Sequence, residues 1–144
     1  MSQPKLSTID QRLCFALYSS SQAIIKKYRP FLQELGMTYP QYLVFLVLVE
    51  QGELTVKELG GYLDLDSGTL TPLLKRMEQQ QRVIRKRSAH DERKVNVKLT
   101  DQAKELIPLV AQMQSCVATA THLDESAFND LLLKLQQLKK NLLD

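Results

Sequence analysis

The feature that most constrains this chain is a change of hydrophobic period beyond Arg82. There Val95, Val97 and Leu99 alternate with Lys94, Asn96 and Lys98, a period of two that specifies a half-buried strand. Val83 to Arg87 supplies a partner strand across the polar loop from Ser88 to Arg93. The segments on either side read as helices. With 144 residues, 44% apolar and 24% charged, the chain has the composition and length for one ordinary core.

The longest apolar run, Tyr42 to Val49, is eight residues, whereas a bilayer span needs about 20. The N-terminal stretch carries no apolar signal segment. The expectation is a cytoplasmic protein with no membrane partner.

The helical segments carry their own punctuation. Leu13, Leu17 and Ile24 mark one face of a helix over Ile9 to Tyr28, and Pro30 is expected to begin a short new piece that Gly36 ends. Tyr39-Pro40 opens a helix that runs to Gly52. Thr55, with Glu58 three residues on, makes a capping box for a short helix from Val56 to about Leu63, and Gly60-Gly61 reads as its end. Asp66 or Ser67 caps the next helix, which reaches about Gln80 and carries the conflicting Pro72. Thr100 and Asp101 cap a long helix reaching towards Cys116, expected to bend at Pro108. After Asp124, the 3-4-3-4 spacing of Phe128, Leu131, Leu135, Leu138 and Leu142 gives a coiled-coil seam.

A short helix, a turn, a second helix and a hairpin make a winged helix-turn-helix. The expected fold is therefore mainly α with a small β-hairpin wing. Residues 36–100 form the winged domain, and residues 1–35 and 101–144 contribute N- and C-terminal dimerisation helices.

Charge sharpens this. Residues 71–98 hold nine basic and three acidic side chains, a net of +6, while the rest of the chain holds ten basic and thirteen acidic ones, a net of −3. A positive patch on the second helix and hairpin is the footprint of a surface that binds double-stranded DNA. The helix start offers Ser67, Gly68, Thr69 and Thr71 for close approach to bases and phosphates, with Lys75 and Arg76 further along. Arg85, Asp91 and Arg93 complete the candidate contacts from the hairpin. Arg93 at the wing tip is expected in a minor groove, with Asp91 buttressing the loop or Arg93 itself.

Cys14 and Cys116 lie 102 positions apart, and with His90 and His122 they make no zinc-ligand spacing. On residue type alone they are two small buried hydrophobes or a redox pair. No cofactor or metal is expected.

Asp91-Glu-Arg93, the strand Val95 to Leu99 and the following Thr100 resemble the wing of the multiple-antibiotic-resistance (MarR) regulators. Leu13-Cys-Phe-Ala-Leu-Tyr-Ser-Ser-Ser21, Tyr28-Arg-Pro-Phe-Leu32, Leu35-Gly-Met-Thr-Tyr-Pro-Gln-Tyr-Leu43 and Leu65-Asp-Ser-Gly-Thr-Leu-Thr-Pro-Leu-Leu-Lys-Arg-Met77 resemble the organic-hydroperoxide-resistance (OhrR) branch. The resemblance implies a homodimeric repressor, not an enzyme, that leaves a pseudo-palindromic operator when an organic hydroperoxide oxidises Cys14. It also implies that Tyr28 and Tyr39 hydrogen-bond the sensor sulfur across the dimer, with Tyr18 one turn from Cys14. Cys116 matches the region where some members carry a resolving thiol. Two other readings stand beside it: a MarR-type repressor answering a small aromatic ligand, and a small thiol peroxidase, which would leave the +6 segment unexplained.

Overall fold

A computed structural model describes residues 4–144. The first three residues, part of the expected 1–35 segment and of the stretch read for a signal, lie outside the described residues. A single 3-10 turn over Ile9–Gln11 leads into α1 (Leu13–Leu35), α2 (Tyr39–Gln51), β1 (Leu54–Thr55), α3 (Val56–Leu63), α4 (Ser67–Gln79), β2 (Val83–Arg87), β3 (Val95–Leu99), α5 (Asp101–Lys104), α6 (Ile107–Ala120) and α7 (Glu125–Leu143). Helix-turn-helix and wing are thus α3, α4, β2 and β3. The fold is the mainly helical winged helix-turn-helix expected.

The helix starts follow side-chain chemistry. Thr38 and Gln41 form a reciprocal capping box at α2, with Pro40 in its first turn. Asp66, Thr100 and Asp124 each accept the backbone N–H three residues on. At α3 the box is only half made. Thr55 accepts from the Glu58 N–H, but Glu58 takes the Thr55 hydroxyl proton rather than a backbone donor.

Four expectations change. Pro30 does not begin a new helix; α1 runs through it to Leu35. The bond it removes would have gone to the Lys26 carbonyl on an exposed face, which is open to solvent. Pro108 does not bend one long helix. It sits in the first turn of α6, where a missing N–H costs nothing, and α5 stands apart as a single turn. A third strand joins the hairpin: β1 pairs with β3 at Leu54–Val97 and Thr55–Asn96, giving the antiparallel order β1-β3-β2. Gly60-Gly61 lies inside α3, not at its end.

The core joins all these elements. Phe45, Leu59, Leu70, Leu74, Met77 and Val97 are fully buried, and Leu32 and Leu35 of α1 and Val110 and Met113 of α6 close it from the other side. Each such side chain contributes about 1.5–3 kcal/mol by leaving water. Val97 and Leu99 are inside and Lys98 outside, as the alternation requires. Gly36 ends α1 in the left-handed conformation, and the carbonyls there are taken across the chain: Arg82 Nη2 donates to Leu35 O at 2.7 Å and Gln80 Nε2 to Gly36 O at 3.3 Å. A cation at a helix C-terminus is also favoured by the helix dipole.

The two ends of the chain are different. Among the described residues, α7 contributes none to the core. Leu131, Leu132, Leu133, Leu142 and Leu143 on α7, and Leu13, Tyr18 and Ile24 on α1, are exposed. Lys139 of α7 pairs with Asp64 at the end of α3.

The glycine pair gives a matched test. A Cβ on Gly60 would collide with the Leu65 backbone carbonyl, whereas one on Gly61 meets nothing within 4 Å. Gly60→Ala should therefore lose about 1–3 kcal/mol in urea unfolding through overpacking. Gly61→Ala should be neutral or gain up to about 1 kcal/mol.

Candidate nucleic-acid interface and thiol site

Leu70, Leu74 and Met77 anchor one face of α4 in the core and turn the other outward. Ser67, Gly68, Thr69, Lys75 and Arg76 are exposed on it, and Thr71 is half-buried with its hydroxyl donated to the Ser67 carbonyl at 2.7 Å. Asp66 Oδ1 accepts the Thr69 N–H at 2.7 Å. That backbone hydrogen bond holds the Asp66 carboxyl below its ordinary value. Pro72 is accommodated inside the helix, which starts at Ser67.

At the wing tip, Asp91 Oδ1 accepts the Arg93 backbone N–H at 3.0 Å, and the Asp91 carbonyl accepts that of Lys94 at 3.0 Å. Asp91 thus buttresses the loop backbone, leaving the Arg93 side chain exposed. Ser67 and Thr71 of α4 share one open cleft of about 990 Å³ with Arg93 and Lys94 of the wing, also lined by Thr55 and Lys57.

Arg85 is held differently. Its Nη2 meets Glu78 Oε1 at 3.1 Å, its N–H donates to Glu78 Oε2, and its side chain is 21% exposed. The Arg85 hydrogen bond holds the Glu78 carboxyl low. This pair ties β2 to α4, and Arg82 is likewise taken up at the end of α1. Among the described residues, Lys75, Arg76, Lys86, Arg87, Arg93, Lys94 and Lys98 form no ion pair.

Cys14 and Cys116 are both unpaired and exposed, on α1 and α6. Cys14 and Leu32 are eighteen residues apart on α1, five whole turns, so they face the same way. The stripe that is core at Leu32 is uncovered at Cys14. Tyr18, one turn from Cys14, is 62% exposed. Tyr28 is fourteen residues from Cys14 on the same unbroken helix, about 21 Å along its axis. The two cannot meet within one protomer.

Tyr28 instead joins Tyr39, at 5.7 Å between ring centroids, and both pack on Tyr42, at 5.3 and 5.8 Å. Tyr42 is 1% exposed, and its Oη accepts from Gln114 Nε2 of α6 at 3.0 Å. Burial, then the neighbouring Tyr28, raises the Tyr39 phenol; burial raises that of Tyr42 further. Sequence reasoning found Tyr28 and Tyr39 but missed Tyr42 and Gln114. The signal was the Tyr39-Pro-Gln-Tyr42 spacing, which puts two phenols on one face of α2. Among the described residues no group of three or more His, Cys, Asp or Glu could hold a metal ion, and no helix is long and apolar enough to cross a membrane.

A family model described as transcriptional regulator SarA/Rot matches residues 25–109. The organic hydroperoxide resistance transcriptional regulator of Bacillus subtilis is 56% identical over 93 residues, which are 65% of this chain and 63% of that protein, just under two thirds of its length. The HTH-type transcriptional regulator SarZ of Staphylococcus epidermidis is 38% identical over 90% of this chain and 88% of its own. Among solved structures, reduced AbfR bound to DNA is similar with a TM-score of 0.78 and 36% identity over 92% of both chains. AbfR has also been solved in a disulfide form, with a TM-score of 0.67 and 35% identity over 90% of this chain and 86% of that one.

The Asp66 cap gives a pH prediction. Its folded-state carboxyl titrates below its unfolded value, so its stabilisation is complete above the unfolded carboxylate range and is lost as pH falls through the folded value. Asp66→Asn keeps a capping oxygen without the titration. Between about pH 6 and about pH 3, its melting temperature should fall less than that of the parent protein, measured by circular dichroism. Equal falls would exclude the cap as a titrating contributor.

Proposed function

Because the chain belongs to the MarR family of winged-helix transcriptional regulators, of the OhrR and SarZ type, we propose that it is a homodimeric redox-sensing repressor. It holds operator DNA while Cys14 is reduced and releases it when an organic hydroperoxide oxidises that thiol. The observation that carries this reading is the position of Cys14: exposed, on the uncovered half of a stripe whose other half is core, and about 21 Å from its own Tyr28. A second protomer laid along α1 covers the stripe and brings one chain's Cys14 towards the other's Tyr28 and Tyr39. The leucines of α7 provide the rest of that interface. The relatives support the switch, since one is named for organic hydroperoxide resistance and another has been solved reduced on DNA and as a disulfide.

On DNA, Ser67, Gly68, Thr69 and Thr71 approach the major groove with Lys75 and Arg76 behind them, and the two α4 helices sit about 34 Å apart on a pseudo-palindromic site. Arg93 enters the adjacent minor groove, and Asp91 fixes its loop. Arg85, paired with Glu78, serves by holding the wing to α4. Arg93→Ala should weaken operator binding and lower its salt slope by about 2, one contact per protomer. An unchanged slope would remove Arg93 from the interface.

The chemistry is thiolate attack on the peroxide O–O bond. Sulfur takes the terminal oxygen as sulfenic acid, and the alkoxide leaves and takes a proton as the alcohol. The Cys116 thiol of the partner then condenses with the sulfenic acid, forming the S–S bond and releasing water. Phenol donors stabilise the reduced thiolate, so oxidation removes contacts that the DNA-binding spacing depends on.

Operator binding with and without cumene hydroperoxide tests this directly. The parent protein should release DNA and give a covalent dimer on a non-reducing gel. Cys14→Ser should keep its DNA, and Cys116→Ser should lose the covalent band. A monodisperse, folded 16.5 kDa species at micromolar concentration, or release from oxidised Cys14→Ser, would overturn the reading.

A further inference from the structure

The proposed thiol site has a polarity problem that the phenols alone do not solve. A tyrosine hydroxyl carries one proton and both donates and accepts, so three clustered phenols could circulate their protons among themselves and offer none to a thiolate. Gln114 breaks that symmetry. It reaches from an exposed position on α6 and donates Nε2–H to Tyr42 Oη at 3.0 Å. Tyr42 then has one acceptor position engaged by a fixed donor, and its own proton stays available for a neighbour. The Tyr28 ring is the nearer, at 5.3 Å between centroids.

We infer that Gln114 is a positioning residue of the thiol site, which orients the Tyr42 proton towards Tyr28 and so leaves the Tyr28 proton free for the partner's Cys14. The inference rests on the reading of Cys14 as the sensor. Its physical content is the direction of a hydrogen-bond chain, Gln114 to Tyr42 to Tyr28 to sulfur, in which each bond polarises the next. Tyr42 suits the middle position because burial keeps its phenol neutral throughout the physiological range. Gln114 does not touch peroxide or sulfur; it acts through the phenols.

The test separates polarity from packing. Lys at position 114 can only donate and Glu can only accept, while Leu does neither. Each variant is made on the Cys116→Ser background, so that Cys14 is the single thiol. Two readouts are followed: the ultraviolet absorbance titration of the Cys14 thiolate and its rate of oxidation by cumene hydroperoxide. Gln114→Leu and Gln114→Glu should raise the apparent thiol pKa and slow oxidation about fivefold, the loss of one ordinary hydrogen bond. Gln114→Lys should stay within about twofold of the parent on the same scale. Tyr42→Phe should match Gln114→Leu. All should remain dimers with the parent's reduced operator affinity. If Lys and Glu variants slow together, or none slows, the inference is wrong although Cys14 still senses peroxide. If Cys14 of the parent does not react at all, the proposed function itself fails.

Discussion

The structure depends on how the end of α1 is fastened. Leu35 and Gly36 carry carbonyls that the helix cannot satisfy, and they are taken by Arg82 and Gln80 from the turn between α4 and β2. Thr100, at the start of α5, donates to Gln81 of the same turn. One short turn therefore joins the long N-terminal helix, α4, the wing and the start of the C-terminal helices. The end of α1 is thus tied to the turn after α4 by hydrogen bonds as well as by the shared core.

That fastening explains how two chemistries share a small chain. The thiols and the tyrosines lie along α1, α2 and α6, and the proposed DNA-contacting groups on α4 and the wing. Buried leucines of α4 and of α1 belong to one core, and packed cores do not deform gradually. Two of the segment's nine basic side chains, Arg82 and Arg85, are taken up by this internal frame, and the segment's unpaired positive charge comes from the others.

Much of this was legible in the residues. The alternation of Val95, Val97 and Leu99 specified β3 and its exposed face, and Asp66, Thr100 and Asp124 marked helix starts through a local side-chain bond that needs no tertiary partner. What was not legible depended on distant partners. β1 is two residues long, too short for any period, and exists because β3 has an open edge. The extent of α1 through Pro30 depended on which face Lys26 presents to water. Gly60 reads as a helix end until the Leu65 carbonyl is seen against it. Tyr42 sits in an apolar run, where an aromatic reads as core, and only Gln114, 72 positions away, makes it part of a polar chain. Arg85 shows the limit of counting charges, because a count does not distinguish a paired cation from a free one.

The helix that buries nothing has a consequence for regulation by abundance. Among the described residues, α7 contributes no buried residue to its own protomer; in the proposed dimer its leucines are covered by the second copy, and association obeys mass action. In the proposed dimer, halving the copy number in a cell near the dissociation midpoint reduces the operator-competent species by more than half. Repression would then have a threshold in the regulator's own dosage, separate from any oxidant, and dilution at cell division would be a signal that the last helix of the chain converts into transcription.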